Sequence, residues 1–453
     1  MAGAIERPNV LYIFTDQQHA GMMGCAGNRW VKTPAMDSLA NTGARFERAY
    51  SVNPVCVPSR TSMFTGHTPS RFGMQSNSDI GTTKIPDEVR RQCMGTLFRD
   101  AGYEVAYGGK THLPASLRDF GFDVISKDHR EELADACAAF IAKPHDRPFL
   151  LVASFINPHD ICYMAINDFA RAGGARGPQK GGTGPHQVCL AEALQRPAGV
   201  SEEKFWAELC PPAPDNLDPQ AGAPDAIATN SFKGFREHAF KNWSAEQWRL
   251  HRWAYCRLTE RVDREIGKVL GALRDAGLEE KTLVVFSSDH GDMDGAHRLE
   301  HKSVFYEEAV RVPFIVSLKN VTRPGLVDTE HVVSAGLDLI PTFCDYAGIP
   351  IPPGLKGRSV RPLAEGRPWA EGRRYIASET HYGRMICSGR YKYCIYESGD
   401  RREQLVDLEK DPGEMRNMAD APEYAAPLAE HRRFMREWVE ANGDTLAAAY
   451  IMR

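Results

Sequence analysis

The chain has 453 residues, 42% hydrophobic and 25% charged, with a formal net charge of −4. This composition predicts a globular protein, and its mild acidity argues against nucleic acid or an anionic membrane surface as partner. No apolar run approaches the about 20 residues of a membrane span, and the first residues lack the basic and apolar regions of a signal peptide. We therefore expect a cytoplasmic protein. Its 11 cysteines include no Cys-x-x-Cys pair, which indicates reduced, buried side chains rather than a structural zinc site.

Three short apolar runs are typical of strands buried on both faces: residues 9–15, 148–156 and 282–288. Helical patterns accompany them at residues 36–46, 93–101, 130–141 and 245–276. Strands that alternate with helices predict an α/β fold, with a large, mostly parallel mixed sheet sandwiched by helices. The ligand site of such a fold lies at the carboxyl ends of the strands. All three runs end there in polar residues.

Residues 160–240 interrupt the alternation because they are rich in glycine, proline and alanine. We expect an irregular insertion that covers the pocket and selects the substrate, and a surface loop without function is an equal alternative. After residue 360, short alternating strands and a terminal helix at about 423–442 predict a small antiparallel sheet with one packed helix. The expected division is a catalytic domain at 1–360 and a C-terminal subdomain at 361–453.

The run CVPSRTSMFTG begins at Cys56. Pro58 and Ser59 favour a helix start, so Cys56 is expected at a helix N-terminus, where amide groups and the helix dipole favour an anion. Arg60, one turn along, can reach back to the same point. An unmodified Cys56 would be a thiolate nucleophile with a lowered pKa. The alternative is a buried cysteine in front of an ordinary helix.

This run resembles the formylglycine-generating signature of the type I sulfatases, a family of the alkaline phosphatase superfamily. Val57 stands where a smaller residue is common. The resemblance implies an alkaline-phosphatase-like fold and oxidation of Cys56 by a formylglycine-generating enzyme, with the hydrate of the aldehyde as nucleophile. It extends over residues 8–419 apart from the insertion, because residues 404–417 resemble the C-terminal subdomains of sulfatases.

Asp16-Gln17 and Asp289-His290 each follow a predicted strand, and oxygen ligands on converging strand ends suit a divalent cation. Alone, either pair could cap a helix or form a turn. Together they resemble the sulfatase metal site, which implies that Asp16, Gln17, Cys56, Asp289 and His290 bind one cation. We expect Ca²⁺ at this site, and because Gln17 and His290 replace the usual Asp and Asn, the softer ligand set could also accept Mn²⁺. The same pairs also resemble choline sulfatases and phosphonate monoester hydrolases.

Four further residues complete the predicted site. Lys110 and His112 follow a short strand, where an extended backbone would place both side chains on one side. Residues 102–112 resemble the second sulfatase signature, which implies that Lys110 stabilises the hydrated nucleophile and that His112 helps to eliminate sulfate. By the same resemblance, His159 donates a proton to the leaving oxygen and Lys302 holds the sulfate. Taken singly, such a histidine is more often a turn residue and such a lysine a surface group.

The resemblance implies hydrolysis of a sulfate monoester of a sugar or small organic alcohol, with Arg60, Lys110 and Lys302 neutralising the sulfate oxygens. Three aspartates and three histidines in residues 289–301 could instead form a two-zinc site, but Cys56 in the nucleophile position favours one metal. The same scaffold could cleave phosphonate monoesters or phosphodiesters. A non-catalytic binding protein with unmodified Cys56 is the third alternative, and a homo-oligomer is possible with any of them.

Overall fold

The computed structural model describes residues 7–174, 184–231, 233–370 and 372–452. The strands are β1 (Asn9–Asp16), β2 (Ala44–Phe46), β3 (Ala49–Tyr50), β4 (Glu104–Gly109), β5 (Asp123–Ser126), β6 (Phe149–Pro158), β7 (Thr282–Ser288), β8 (Phe314–Ser317), β9 (Leu326–Asp328), β10 (Val333–Ser334), β11 (Ile376–Thr380), β12 (Gly383–Cys387), β13 (Tyr391–Tyr396) and β14 (Glu403–Asp407). The helices are α1 (Pro34–Thr42), α2 (Cys56–Thr65), α3 (Asp87–Arg90), α4 (Met94–Asp100), α5 (Leu133–Ala142), α6 (Tyr163–Arg171), α7 (Pro185–Ala193), α8 (Glu202–Lys204), α9 (Asp225–Ser231), α10 (Phe235–Asn242), α11 (Ala245–Asp275), α12 (Glu307–Val310), α13 (Leu339–Ala347), α14 (Arg361–Ala364), α15 (Ala425–Asn442) and α16 (Thr445–Ala448).

The central sheet has the order β5-β4-β6-β1-β7-β8-β2-β9. Its strands are parallel from β5 to β7, and β8 runs antiparallel to both of its neighbours. Side chains of β1 alternate between two buried clusters: Tyr12 and Phe14 pack with α2 on one face, and Leu11 and Ile13 pack with α11 on the other. The predicted α/β fold, with a mostly parallel sheet between helices, is confirmed.

The helix predicted at 36–46 is wrong at its end. α1 stops at Thr42, and residues 44–46 form β2. Gly43 separates them, and a Cβ atom added there would lie 2.3 Å from the Val316 carbonyl oxygen of β8. Only glycine allows this close approach, which turns the chain from the helix into the sheet.

The segment 160–240 is not irregular where the structure describes it, because helices α6 to α10 lie within it. Asp168 of α6 accepts hydrogen bonds from Trp243 Nε1 at 2.8 Å and His238 Nε2 at 3.0 Å, which fastens α6 to α10. The glycine-rich run at 175–183 lies outside the described residues. A role of this segment in substrate selection stays a prediction. No helix in the described ranges is long and apolar enough to span a membrane.

The C-terminal sheet has the order β11-β12-β13-β14 and is antiparallel throughout. Phe434, Trp438 and Val439 of α15 pack on Ile386 and Tyr393 of this sheet. The predicted antiparallel sheet with a packed terminal helix is therefore confirmed. The domain boundary at 360 stays a prediction.

The C-terminal sheet also holds the segment that follows Lys302. Lys392 of β13 is fully buried and forms ion pairs with Glu307 at 2.9 Å and Glu414 at 2.6 Å. The Glu414 carboxylate accepts a hydrogen bond from the Glu307 amide at the start of α12, at 2.6 Å. Tyr382 donates its hydroxyl to the Ser303 carbonyl at 2.5 Å. Residues 303–307 thus depend on the C-terminal sheet for their position.

Glu379 of β11 is 2% exposed and accepts hydrogen bonds from the Ser70 amide at 2.9 Å and the Ser70 hydroxyl at 2.8 Å. Burial raises the pKa of this carboxyl group from 4.5 to about 7, with Arg384 opposing the shift. The pKa of this carboxyl group is higher in the folded than in the unfolded protein. Its contribution to stability is therefore fully present at pH values below the unfolded pKa. That contribution is lost as the pH rises from about 4.5 to about 7.

We predict that Glu379→Gln removes this pH dependence. Relative to the wild type, the variant should gain about 2.5 kcal/mol of unfolding free energy between pH 5 and pH 8, since this range covers most of the shift in the carboxyl pKa. Denaturant unfolding at a series of pH values measures the effect, and the exposed Glu330→Gln is the control. Parallel pH profiles of wild type and variant would contradict the assignment.

Candidate active site

Polar side chains converge at the carboxyl ends of four consecutive strands. Asp16 ends β1, Asp289 follows β7, His159 follows β6 and Lys110 follows β4. Asp16 and Asp289 are fully buried. The convergence that the strand pattern predicts is therefore present in the fold.

Helix α2 begins at Cys56, and all ten of its residues are buried. A helix enclosed on every side must satisfy its own polar side chains. The hydroxyls of Thr61, Ser62 and Thr65 each donate to the backbone carbonyl four residues earlier, at 2.8, 3.2 and 2.7 Å. Gly66 ends the helix in the left-handed conformation, with φ of 71°. This explains why small hydroxyl residues fill a buried helix and why a glycine follows them.

Arg60 joins the four strand ends. Its Nε donates to Asp289 Oδ2 and one terminal nitrogen donates to Asp16 Oδ2, both at 2.7 Å. The other terminal nitrogen donates to the Lys110 carbonyl and to Ser154 Oγ, both at 2.9 Å. From the sequence, this side chain is expected to neutralise sulfate oxygens. The structure engages the guanidinium with protein acceptors, so Arg60 organises the site.

The Cys56 sulfur lies among cations. It is 3.0 Å from Lys302 Nζ, 3.3 Å from His290 Nε2 and 3.9 Å from Lys110 Nζ, and Asp16 Oδ1 lies at 3.8 Å. Burial and Asp16 act to raise the pKa of the thiol, but Lys110, Lys302 and His290 hold it well below its usual value. The position therefore favours a negatively charged or strongly polarised nucleophile.

One ligand atom from each of Asp16, Cys56, Asp289 and His290 lies within 4.8 Å of the others. Burial acts against ionisation of Asp16, yet Lys110 and other nearby cations hold the pKa of its carboxyl well below the usual value. Gln17 Oε1 faces the same space, because it accepts from Lys302 Nζ at 3.0 Å. Carboxylate and amide oxygens with one imidazole fit a single hard or borderline divalent cation.

A network behind Gln17 was missed by sequence reasoning. Gln17 adopts a positive φ of 68°, its carbonyl accepts the Tyr255 hydroxyl at 2.5 Å, and its amide nitrogen donates to Asp292 Oδ2 at 2.6 Å. His251 Nε2 lies 4.0 Å from Asp292 Oδ1. Because Asp292 accepts and Lys302 donates, the Gln17 amide has one orientation, with its oxygen toward the Lys302 ammonium. The available signal was a histidine and a tyrosine four residues apart on the buried face of α11.

A cavity of about 760 Å³ is lined by Lys110, His112 and His159 among others, and the Lys110 ammonium lies 3.9 Å from the Cys56 sulfur. The extended backbone ends at Gly109, and His112 has a φ of 45°. The prediction that an extended backbone places Lys110 and His112 on one side is therefore wrong. Both residues nevertheless line the same cavity. Burial and Lys110 lower the pKa of His159 well below its usual value, with Asp16 opposing.

The chain is similar to known proteins over almost its whole length. The sequence model of the Sulfatase family matches residues 8–349, and that of the N-sulphoglucosamine sulphohydrolase C-terminal region matches residues 295–440. A Δ4,5-hexuronate-2-O-sulfatase of Bacteroides thetaiotaomicron is 30% identical over 477 aligned residues, with 98% of this chain and 91% of the relative covered.

Two solved structures share the fold. A 2-O GAG sulfatase is 28% identical with a TM-score of 0.82, and the alignment covers 98% of this chain and 94% of that one. A phosphonate monoester hydrolase from Silicibacter pomeroyi is 22% identical with a TM-score of 0.72, over 97% and 96% of the two chains. The chain belongs to the sulfatase family. It is a sulfuric ester hydrolase.

We predict that Arg60→Met destabilises the protein by about 3–5 kcal/mol, because it leaves two buried carboxylates without their shared counter-charge. Chemical denaturation in the presence of EDTA measures the loss while no cation can replace the guanidinium. Arg90→Met is the control, since Arg90 is part of a solvent-exposed ion pair with Asp87 and should change stability by less than about 1 kcal/mol. Equal stability of Arg60→Met and wild type would refute the organising role.

Proposed function

We propose that the protein hydrolyses a sulfate monoester of a sugar, with Cys56 converted to formylglycine and one divalent cation bound beside it. The observation that carries this proposal is the position of the Cys56 sulfur. It lies at the start of a buried helix, within 3.3 Å of both Lys302 and His290, next to a set of metal-ligand atoms. The 30% identical relative that acts on a hexuronate sulfate supports a sugar as the alcohol.

Asp16, Gln17, Asp289 and His290 would hold the cation together with residue 56. Ca²⁺ suits the oxygen ligands, and the imidazole also admits Mn²⁺. Such a cation would supply positive charge to the sulfate oxygens and to the oxygen of the nucleophile. The network of Asp292 and Tyr255 holds Gln17 in the orientation that this requires.

The Cys56 sulfur stands in for an oxygen of the formylglycine hydrate. A hydrate offers one hydroxyl to attack sulfur and a second hydroxyl through which sulfate can leave, which a serine or a thiol lacks. Lys302 and Lys110 hold their ammonium groups 3.0 and 3.9 Å from this position. They stabilise the negative charge on the nucleophile and on the sulfate before the reaction begins.

Proton transfer to the leaving alcohol is assigned to His159, and His112 is assigned as the base that assists sulfate release. Burial and Lys110 lower the pKa of His159 in the free protein. A sulfate ester brings negative charge next to this ring and so raises its pKa toward the range of a proton donor. His112 Nδ1 is buried without a hydrogen-bond partner among the described residues, and it lines the same cavity.

Conversion of Cys56 requires a formylglycine-generating enzyme as a transient partner. Cys56 is 1% exposed and lies within a helix that is buried over its whole length. An enzyme could not reach this side chain in the folded protein. We infer that the conversion takes place before the chain folds.

A second candidate function is the hydrolysis of phosphonate monoesters or phosphodiesters at the same site. Gln17 and His290, in place of the Asp and Asn that sulfatases usually carry, favour this alternative. The phosphonate monoester hydrolase shares the fold. At 22% identity it supports no more than that.

We predict that the wild type cleaves 4-nitrophenyl sulfate faster than a matched aryl phosphonate monoester, measured by initial rates in parallel. Cys56→Ala should lower the rate on the sulfate by roughly 10⁴-fold or more, because it removes the nucleophile. Cys93→Ala is the control. It alters another buried cysteine, which directly precedes α4, and should retain activity. Faster phosphonate cleavage would reverse the order of the two functions, and a fully active Cys56→Ala protein would exclude both.

A further inference from the structure

The cavity that is lined by Lys110, His112 and His159 extends well beyond these groups. Its inner part holds Lys110, His112 and His159, and its outer part is lined by Lys127, His129, Arg130 and His186 among others. Among the described lining residues none carries a carboxylate. Basic side chains thus line both the inner and the outer part of the cavity, together with apolar residues.

The strand order shows how far the outer part lies from the reaction. β5 is the edge strand next to β4, and Ser126 at its end pairs with Gly108. Lys127 follows directly, so it stands beside the end of the strand that leads to Lys110. From β1, which carries Asp16, to β5 there are three strand spacings, or about 14 Å. A single sulfate group cannot span this distance, whereas a sugar attached to it can reach toward the outer groups.

The outer groups differ in the charge they can offer. Arg130 donates to both oxygens of Asp160, at 2.9 and 2.7 Å, so its charge is already compensated. It also donates to His129 Nε2 at 2.5 Å, which leaves the proton of that ring on Nδ1. Lys127 is exposed and forms no hydrogen bond or ion pair within the described ranges. A free ammonium and a neutral N–H donor thus stand at the rim.

We propose that Lys127, with His129, binds a second anionic group of the substrate, either a carboxylate or a further sulfate on the sugar that carries the reacting sulfate. This inference rests on the proposed function, because it assumes that the reacting sulfate lies at Cys56. It makes the substrate an acidic or multiply sulfated sugar, in preference to a neutral alcohol sulfate. An exposed lysine is usually only solvated, but Lys127 lines a cavity whose described lining residues carry no carboxylate.

Binding is measured by calorimetry in a Cys56→Ala background, so that no turnover takes place. Two ligand pairs are compared: a 2-O-sulfated hexuronic acid with its methyl ester, and a disulfated glucosamine with its monosulfated form. We expect tighter binding of the more anionic member by about tenfold, equivalent to about 1.4 kcal/mol, in at least one pair. The pair that shows the preference identifies the group as a carboxylate or a sulfate.

Adding Lys127→Ala should abolish the preference, and Lys127→Arg should keep it because the charge remains. The control is Lys281→Ala, which removes an exposed lysine at the amino end of β7. The cavity lies at the other, carboxyl end of the parallel strands. Absence of a preference in both pairs, or a preference that survives Lys127→Ala, would overturn the proposal. Binding does not require hydrolysis, so the two proposals are tested separately. The subsite can be refuted while sulfate hydrolysis is confirmed, and sulfate hydrolysis can be refuted while the subsite is confirmed.

Discussion

Two fully buried carboxylates, Asp16 and Asp289, share one guanidinium, and the arrangement of the site depends on this pairing. Isolated charges cannot remain ionised in a protein interior without partners. Arg60 must therefore point at the strand ends, which fixes the rotation of α2 about its axis. Cys56 lies four residues earlier, one helical turn, and so faces the same strand ends at the helix start. The separation of four residues between Cys56 and Arg60 thus places the nucleophile and the guanidinium on the same side of the helix.

Beyond this pairing, the cations that face Cys56 come from distant parts of the chain. Lys110 follows a strand of the central sheet, whereas the segment after Lys302 is fastened to the C-terminal sheet by Tyr382, Glu414 and Lys392. The smaller sheet therefore contributes to the site without supplying a side chain to it. The same logic applies to Gln17, whose amide is oriented by Asp292. Both supports are buried hydrogen-bond networks, which place charged groups firmly because unpaired members would be destabilising.

The sequence predicted most reliably what local patterns determine. The three buried strands, α11 and the start of α2 follow from apolar runs, periodicity and residue preferences at helix ends. The predictions were wrong where contacts between distant parts of the chain determine the local structure. Helix α1 ends before Gly43 because β8 lies against this residue. The helices of 160–240 are stabilised by packing that the composition of this segment does not reveal. The hydrogen bonds of Arg60 depend on acceptors far apart in the chain. The convergence of Asp16, Lys110, His159 and Asp289 was predictable because each of them ends or directly follows a strand. The supports from α11 and β13 were not predictable.

The central claim is that residue 56 acts as formylglycine and not as a thiol. Mass spectrometry of the peptide covering residues 48–60, in protein co-produced with a formylglycine-generating enzyme, tests it most directly. We expect that Cys56 has exchanged its sulfur for oxygen and lost two hydrogens, in proportion to the activity on sulfate esters. An intact Cys56 thiol in a fully active preparation would contradict it.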